Sequence, residues 1–221
     1  MKEQQQVTQS PVITRAIAYV EEILRADTTG HGADHTMRVY RLACRIAQGE
    51  QVDEMKVQLA ALLHDVDDVK LFPETAATKA HASAFLAEAG FDVEYTAEIL
   101  HIIDQVSFVA GDSVTPDTIE GCCVQDADRL DAIGAIGIAR AFTYGGAHGR
   151  TLYDPAIPPQ LNMTKEEYRN HVSTTLNHFY EKLLLLKDLM TTATGRQLAA
   201  HRHVVLEGFV QEFLQEWNGE C

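Results

Sequence analysis

The run Ala60-Ala61-Leu62-Leu63-His64-Asp65-Val66-Asp67-Asp68 ends an apolar stretch in a histidine and three carboxylates. A metal ion suits such a pair, because it joins a neutral imidazole to a carboxylate and offsets the cost of burying both. Adjacent helical residues point about 100° apart, so His64 and Asp65 meet only at a point beside the helix end, with partners arriving from elsewhere. The other reading is a plain helix C-terminus, where histidine suits the dipole and the aspartates are solvated. Two stretches could supply partners. One is Asp34-His35-Thr36-Met37-Arg38, where a first-turn histidine shares a face with Arg38 but could equally anchor a loop. The other is Gln125-Asp126-Ala127-Asp128-Arg129-Leu130-Asp131, a second apolar run ending in aspartates.

The elements that must position these residues all read as helices. Pro11 to Ala26 carries Ile13, Ile17, Val20 and Leu24 at helical spacing, with proline in the first turn. After a glycine-rich loop from Asp27 to Ala33, Asp34 is placed to cap a helix to about Gly49. Asp53 caps the stem that reaches Leu63, and Pro73 predicts a loop until about Thr78, where a substrate could enter. Further helices are predicted from Thr78 to Gly90, with Ala80, Ala84, Phe85 and Leu86 inward, and from Val93 to Ser107, with Ala97, Leu100, Ile103 and Val106 inward. Thr115-Pro116-Asp117 begins another that runs to the second acidic cluster. Ala132 to Tyr144 has small residues at close spacing, which predicts tight helix packing, and Gly145 to Pro159 is an irregular segment of the kind that serves as a lid. Two long helices, Lys165 to Met190 and Thr192 to about Trp217, close the chain. No strand pattern competes, so the fold class is all-α.

The 221 residues suit a single domain, 1–221, with the candidate site within about 30–145 and C-terminal helices over about 165–217. Eighteen basic against 32 acidic residues give a formal charge of -14, which argues against a nucleic acid polymer as partner. No run of about 18 apolar residues predicts a membrane span, the N-terminus is polar, and a cytoplasmic location is expected. Cys44, Cys122, Cys123 and Cys221 lack metal or redox spacing. Neither G-x-x-x-x-G-K-S/T nor G-x-G-x-x-G occurs, so phosphate would not be held in either of those backbone cradles.

The order His35, His64-Asp65, Asp128, with helical segments between, resembles the HD superfamily of metal-dependent phosphohydrolases, whose fold is a helical bundle. Val124 to Arg140, followed by Leu152-Tyr-Asp-Pro155, is similar to a narrower group of small bacterial HD proteins that includes nucleoside triphosphate pyrophosphatases. Carried over residue by residue, the resemblance implies that His35, His64, Asp65 and Asp128 bind one divalent ion. Two imidazoles and two carboxylates form a mixed site suited to Mn, Co, Ni, Fe or Zn more than to Mg, and Mn is the expected ion. The implied reaction is hydrolysis of a small-molecule nucleotide, (d)NTP to (d)NMP and pyrophosphate, by metal-activated water. Asp68, four residues after His64, is the candidate to orient or deprotonate that water, with Asp67 as the stand-in.

Lys79, Lys70 and Arg38 could hold phosphate oxygens, although Arg38 could instead pair with a site carboxylate; Tyr144 and Tyr153 could stack a base. The alternatives are a dinuclear phosphodiesterase or oxygenase that recruits His81 and His101, and a non-catalytic nucleotide-binding sensor. Val106 stands where dinuclear relatives place a histidine, which favours one metal. Oligomeric state is not specified by the sequence, and a homodimer is left open.

Overall fold

The computed structural model describes residues 10–25, 32–106, 114–161 and 163–221. The expectations for the polar N-terminus and for the loop at 27–31 fall outside them. In chain order the helices are α1 (Pro11–Ile23), α2 (Ala33–Ala47), α3 (Glu54–Leu63), α4 (Ala80–Glu88), α5 (Val93–Val106), α6 (Ile119–Asp131), α7 (Gly134–Ala147), α8 (Lys165–Asn170), α9 (Asn177–Glu181) and α10 (Ala193–Asn218), with a 3-10 helix at Leu183–Leu189. No strand occurs among the described residues, as an all-α fold requires.

The core forms where α3 is enclosed by α1, α2, α5 and α6, and the closest partnership in the molecule is α2 with α6. Val57 and the run Leu59 to Leu63 are fully buried, so the C-terminal half of α3 is apolar on all sides and is a central strut rather than a surface helix. Asp53 caps it as expected, accepting from the backbone N–H of Met55 at 3.0 Å and Lys56 at 3.2 Å. α2 differs from expectation at its start: Gly32 is the cap residue, and Asp34 lies inside the first turn, where its carboxylate bonds Arg38 Nη1 at 2.6 Å. α6 is capped by Thr118 rather than by the Thr115-Pro116 turn, its hydroxyl accepting from Gly121 N at 3.1 Å. In α4 and α5 the inward faces rotate slightly from the predicted ones: Ala82 and Ile99 are buried, while Ala80, Ala84 and Ala97 are exposed.

The predicted helix from Lys165 to Met190 does not form as one element. It is broken into α8, α9 and the 3-10 helix, because the chain here is tied to the preceding irregular segment. Thr175 and Leu176 donate their N–H groups to the carbonyls of Thr151 and Leu152 at 2.9 and 3.0 Å, and Asn177 Nδ2 donates to the Ile157 carbonyl at 2.8 Å. Buried Glu181 accepts from Ser173 Oγ, from His171 Nε2 at 3.0 Å and from the Gln160 N–H at 3.1 Å. The segment read as a lid is thus a strap anchored along α9. Close approach explains Gly145 on α7: a Cβ there would collide with Thr175 Oγ1.

α6 carries unusual polarity for a buried helix, and every charge on it has work. Asp126, with no exposed surface, accepts from the N–H groups of Thr191 and Thr192 at 3.0 and 2.8 Å and from both hydroxyls, so it holds the start of α10. Gly195 lies against that carboxylate, leaving no room for a Cβ. Arg129 Nη1 donates to the Leu189 carbonyl at 2.6 Å. Replacing Asp126 with Ala leaves four donors unsatisfied in a dry site and is expected to lower stability by about 3 kcal/mol or more; urea unfolding followed by circular dichroism measures it.

His178, on α9, is pushed down to about 3 by burial and by the nearby Lys182, Arg150 and His171. The unfolded imidazole gains a proton below about pH 6.5, whereas the folded one does not until about pH 3, so His178 makes stability fall as pH falls through that window. His178→Gln is expected to shrink the loss of unfolding free energy between pH 7 and pH 5 by up to about 2 kcal/mol, measured by urea titration at the two pH values.

Candidate metal centre

α3 stops at Leu63 and His64 takes the C-cap position with ordinary right-handed backbone angles. Residues 64–67 form a turn rather than continuing the helix. His64 Nδ1–H donates to the Ala61 carbonyl at 2.9 Å, since a carbonyl can only accept, and this leaves the Nε2 lone pair facing the site. That nitrogen is buried and has no hydrogen-bond partner. Its nearest anion is Asp65 Oδ2, at 3.4 Å.

His35 projects into the same place from the first turn of α2 and is 2% exposed. Its Nδ1–H donates to Asp131 Oδ2 at 2.7 Å. Its Nε2 lies 3.5 Å from Asp65 Oδ2 and 3.4 Å from Asp128 Oδ1, and is the nitrogen that would offer a lone pair once the ring gives up its second proton to an entering ion. The ligand atoms of His35, His64 and Asp65 all fall within 4.8 Å of one another. Two bonds of about 2.1 Å to one ion separate their donor atoms by about 3.0–3.4 Å, so the spacing and the lone pairs fit a divalent ion here. The unpartnered His64 Nε2 is the observation that makes the fit specific. In the protein as it stands, burial pushes the His35 pKa down, but Asp128 and Asp131 outweigh it and hold the imidazole at about 9. Asp128 is held below the usual carboxylate range, burial being outweighed by His35 and His64.

Asp131 is the residue that sequence reasoning did not assign. It is 1% exposed and, besides His35, receives Arg38 Nε at 2.7 Å, Arg38 Nη2 at 3.1 Å and Arg140 Nη1 at 2.6 Å. These partners outweigh burial and hold its carboxyl well below the ordinary range. Its position three residues after Asp128, on the same side of α6, was the available signal. Arg38 therefore serves Asp131, the second of the two roles open to it, rather than standing clear for phosphate.

The remaining candidates divide. Asp67 accepts from His81 N–H at 3.1 Å and Ala82 N–H at 2.9 Å, which ties its carboxylate to the start of α4. Asp68 is half-buried and shares an open cavity of about 230 Å³ with His64, Asp67, Lys79, Ile103 and Asp104. It reaches the cavity by the turn, not by the continued helix its spacing suggested, and its Oδ1 is oriented by the Lys70 N–H at 2.9 Å. Lys79 lies on the cavity wall with its Nζ 2.5 Å from Asp104 Oδ1, on backbone held at a φ of 49°. Tyr153 packs edge-on against Trp217 and Phe213 of α10, with centroids 5.2 and 6.3 Å apart, so its ring contacts are with α10 and not with the cluster. Tyr144 stacks on His148 at 3.8 Å.

His81 Nδ1 donates to the Val66 carbonyl at 2.9 Å, and exposed His101 pairs with Asp117 at 3.0 Å. Neither is among the residues gathered with His35, so the histidines a dinuclear site would recruit are occupied elsewhere. Lys182 lies at the junction of α9 and the 3-10 helix, within electrostatic reach of Asp128, Lys70, Arg140 and Arg129. Burial, with those cations, depresses it to about 8 against the pull of Asp128. Sequence reading placed Lys182 in mid-helix and gave it no role.

The HD domain family model matches residues 32–133, the span from the start of α2 to the end of α6 that supplies the whole cluster. YpgQ of Bacillus subtilis is 38% identical over 203 residues, 91% of each chain. The chain belongs to the HD-domain superfamily of hydrolases. A Lactobacillus plantarum structure aligns with a TM-score of 0.83 and 42% identity over 96% of this chain and 99% of that one. A Bacillus thuringiensis HD-superfamily hydrolase aligns at 0.72 and 42%, over 93% and 96%. A structure of YpgQ in complex with ADP aligns at 0.72 and 35%, over 92% and 96%. Among the described residues of this HD protein, no helix is long and apolar enough to cross a membrane.

Because Asp131 fixes the His35 tautomer, Asp131→Asn is expected to weaken Mn²⁺ binding by 10–100-fold, the usual cost of losing such a support. Titration of the full chain with Mn²⁺, with free ion read by electron paramagnetic resonance, gives the value.

Proposed function

We propose that this HD protein hydrolyses a nucleotide, most simply a (d)NTP to (d)NMP and pyrophosphate, with one Mn-like ion held by His35, His64, Asp65 and Asp128. The observation that carries the reading is the cluster itself: two imidazoles, each with its Nδ1–H committed to a protein acceptor, direct their Nε2 atoms toward the carboxylates of Asp65 and Asp128. The ADP bound to the related YpgQ supports a nucleotide as ligand.

A bound divalent ion would acidify water and draw charge from a phosphoryl group, making hydroxide attack feasible near neutral pH. The residues of the chain then have distinct tasks. Asp68, on the cavity wall beside His64, orients the attacking water and accepts its proton. A bond forms from that oxygen to the α-phosphorus, the α–β bridging bond breaks, and pyrophosphate leaves with the electron pair. Asp131, through His35, keeps the ligand nitrogen aimed, and Arg38 and Arg140 keep Asp131 ionised.

Purified protein with Mn²⁺ is expected to release nucleoside monophosphate and pyrophosphate from a nucleotide panel. EDTA, His64→Ala and Asp65→Ala should each abolish that release. Asp68→Asn should lower kcat by roughly 10²–10⁴ with little change in Mn²⁺ affinity. Tight nucleotide binding with no product from the wild type would instead show a sensor module.

A further inference from the structure

The outer face of α10 has no partner within the chain, and its composition is not that of a solvated surface. Val204, 66% exposed, lies at its centre. At about 100° per residue, Gln197 and Gln211 fall within about 20° of Val204, and Ala200 and Gly208 within about 40°. Ala193 and Gln215 extend the same line to either side, and every one of these positions is exposed. The charged residues of the helix, Arg196, Arg202, Glu207, Glu212 and Glu216, all lie about 60° or more away from it. A helix that only met water would carry charge along its outermost line.

Gly208 sharpens the point. Glycine weakens a helix interior relative to alanine, so it is kept there where something comes close. For Gly145 and Gly195 that neighbour is within the chain, whereas a Cβ on Gly208 would meet nothing within 4 Å. The close approach that would suit Gly208 must come from outside.

The face is also its own complement. A two-fold axis passing beside Val204 lays a second α10 antiparallel on the first, with Val204 against itself, Ala200 opposite Gly208, Gln197 opposite Gln211 and Ala193 opposite Gln215. On one flank Arg196 then neighbours the second copy's Glu207, and on the other His201 neighbours the second copy's Glu212. A parallel pairing would instead turn Arg196 toward His201 and Glu207 toward Glu212, bringing like charges together, so charge selects the antiparallel arrangement. Glu207 is already oriented by His203 Nε2, 3.2 Å from its Oε1, and Arg196 spends one of its five donors on the Met190 carbonyl at 3.3 Å.

We propose that the Val204 face of α10 is an interface with a second copy of this chain, the two helices packing antiparallel about Val204. The contact line runs about 33 Å, the rise of the helix from Ala193 to Gln215, and a single helix pair lies at the small end of specific interfaces. Association is therefore concentration-dependent, and it does not depend on the reaction assigned to the metal centre.

The test is sedimentation velocity of the full chain over a concentration series, with circular dichroism of each variant to show that it is folded. The wild type is expected to move from monomer to dimer mass as concentration rises. Val204→Glu, which sets two carboxylates against each other at the axis, should abolish that shift. Gly208→Leu, although a better helix former, should weaken association by about tenfold or more by filling the place of closest approach. Arg196→Glu and Glu207→Arg should each weaken it by about threefold or more, and the two reversals together should restore it. A wild type monomeric at every concentration, a dimer that survives Val204→Glu or Gly208→Leu, single reversals without effect, or a double reversal that recovers nothing would each overturn the proposal.

Discussion

A carboxylate withdrawn from water is tolerated only if its partners are already in place, and Asp131 is the carboxylate on which the rest of this structure turns. It receives the imidazole of α2, the guanidinium of Arg38 from the same helix and that of Arg140 from α7, all on a side chain of α6. Removing any one of these would leave a charge or a donor stranded. The three helices are thereby fixed in one relative register. The same bond decides which nitrogen of His35 bears the proton, so the interaction that joins α2 to α6 also determines that His35 can serve as a ligand.

Helical phase explains how three aspartates within six residues came to do three different things. Successive residues advance about 100°, so Asp126 and Asp128 lie roughly 200° apart and must face different neighbours, whereas Asp131 returns to within about 60° of Asp128. Asp126 accordingly meets the start of α10, Asp128 meets His35 Nε2, and Asp131 meets His35 Nδ1. The aspartates after His64 divide for the opposite reason. The helix has ended, and a tight turn distributes Asp65 to the cluster, Asp67 to the start of α4 and Asp68 to the cavity wall. A buried helix and an abrupt turn thus separate the roles of one residue type by geometry alone.

What could be read before folding is what local chemistry determines. The apolar run of α3, the Asp53 cap and the helical class follow from residue periodicity and short-range bonds, and they are present as expected. His35, His64 and Asp65 were legible as a set through the resemblance to HD proteins, because a histidine and carboxylate at a helix end suit a solvated C-terminus equally well when taken alone. The parts that were not legible depend on distant partners. The leucine-rich 165–190 stretch has helical periodicity, yet bonds from Thr175, Leu176 and Asn177 to the strap at 151–157 break it. Asp34 looked like a cap until Arg38, one turn on, took its carboxylate. Lys182 carried no local mark at all, because its position is defined by a junction that periodicity does not show.

The charge around the site resolves an apparent conflict between a strongly acidic chain and an anionic ligand. On the proposed reading, the carboxylates of Asp65 and Asp128 match a divalent ion, which leaves the pair neutral toward the outside. Asp131 and Asp34 together match the guanidiniums of Arg38 and Arg140, so these groups add no net negative charge beside the ion. Screening in ordinary salt reduces the influence of distant surface acids beyond about 10 Å, whereas charges at the edge of a partly closed site act over a few ångströms through protein. The field met by an entering phosphate is therefore that of the cluster and its cations, not that of the whole chain. Net charge then governs solubility and the rejection of polyanionic polymers, and the local arrangement governs which small anion is held.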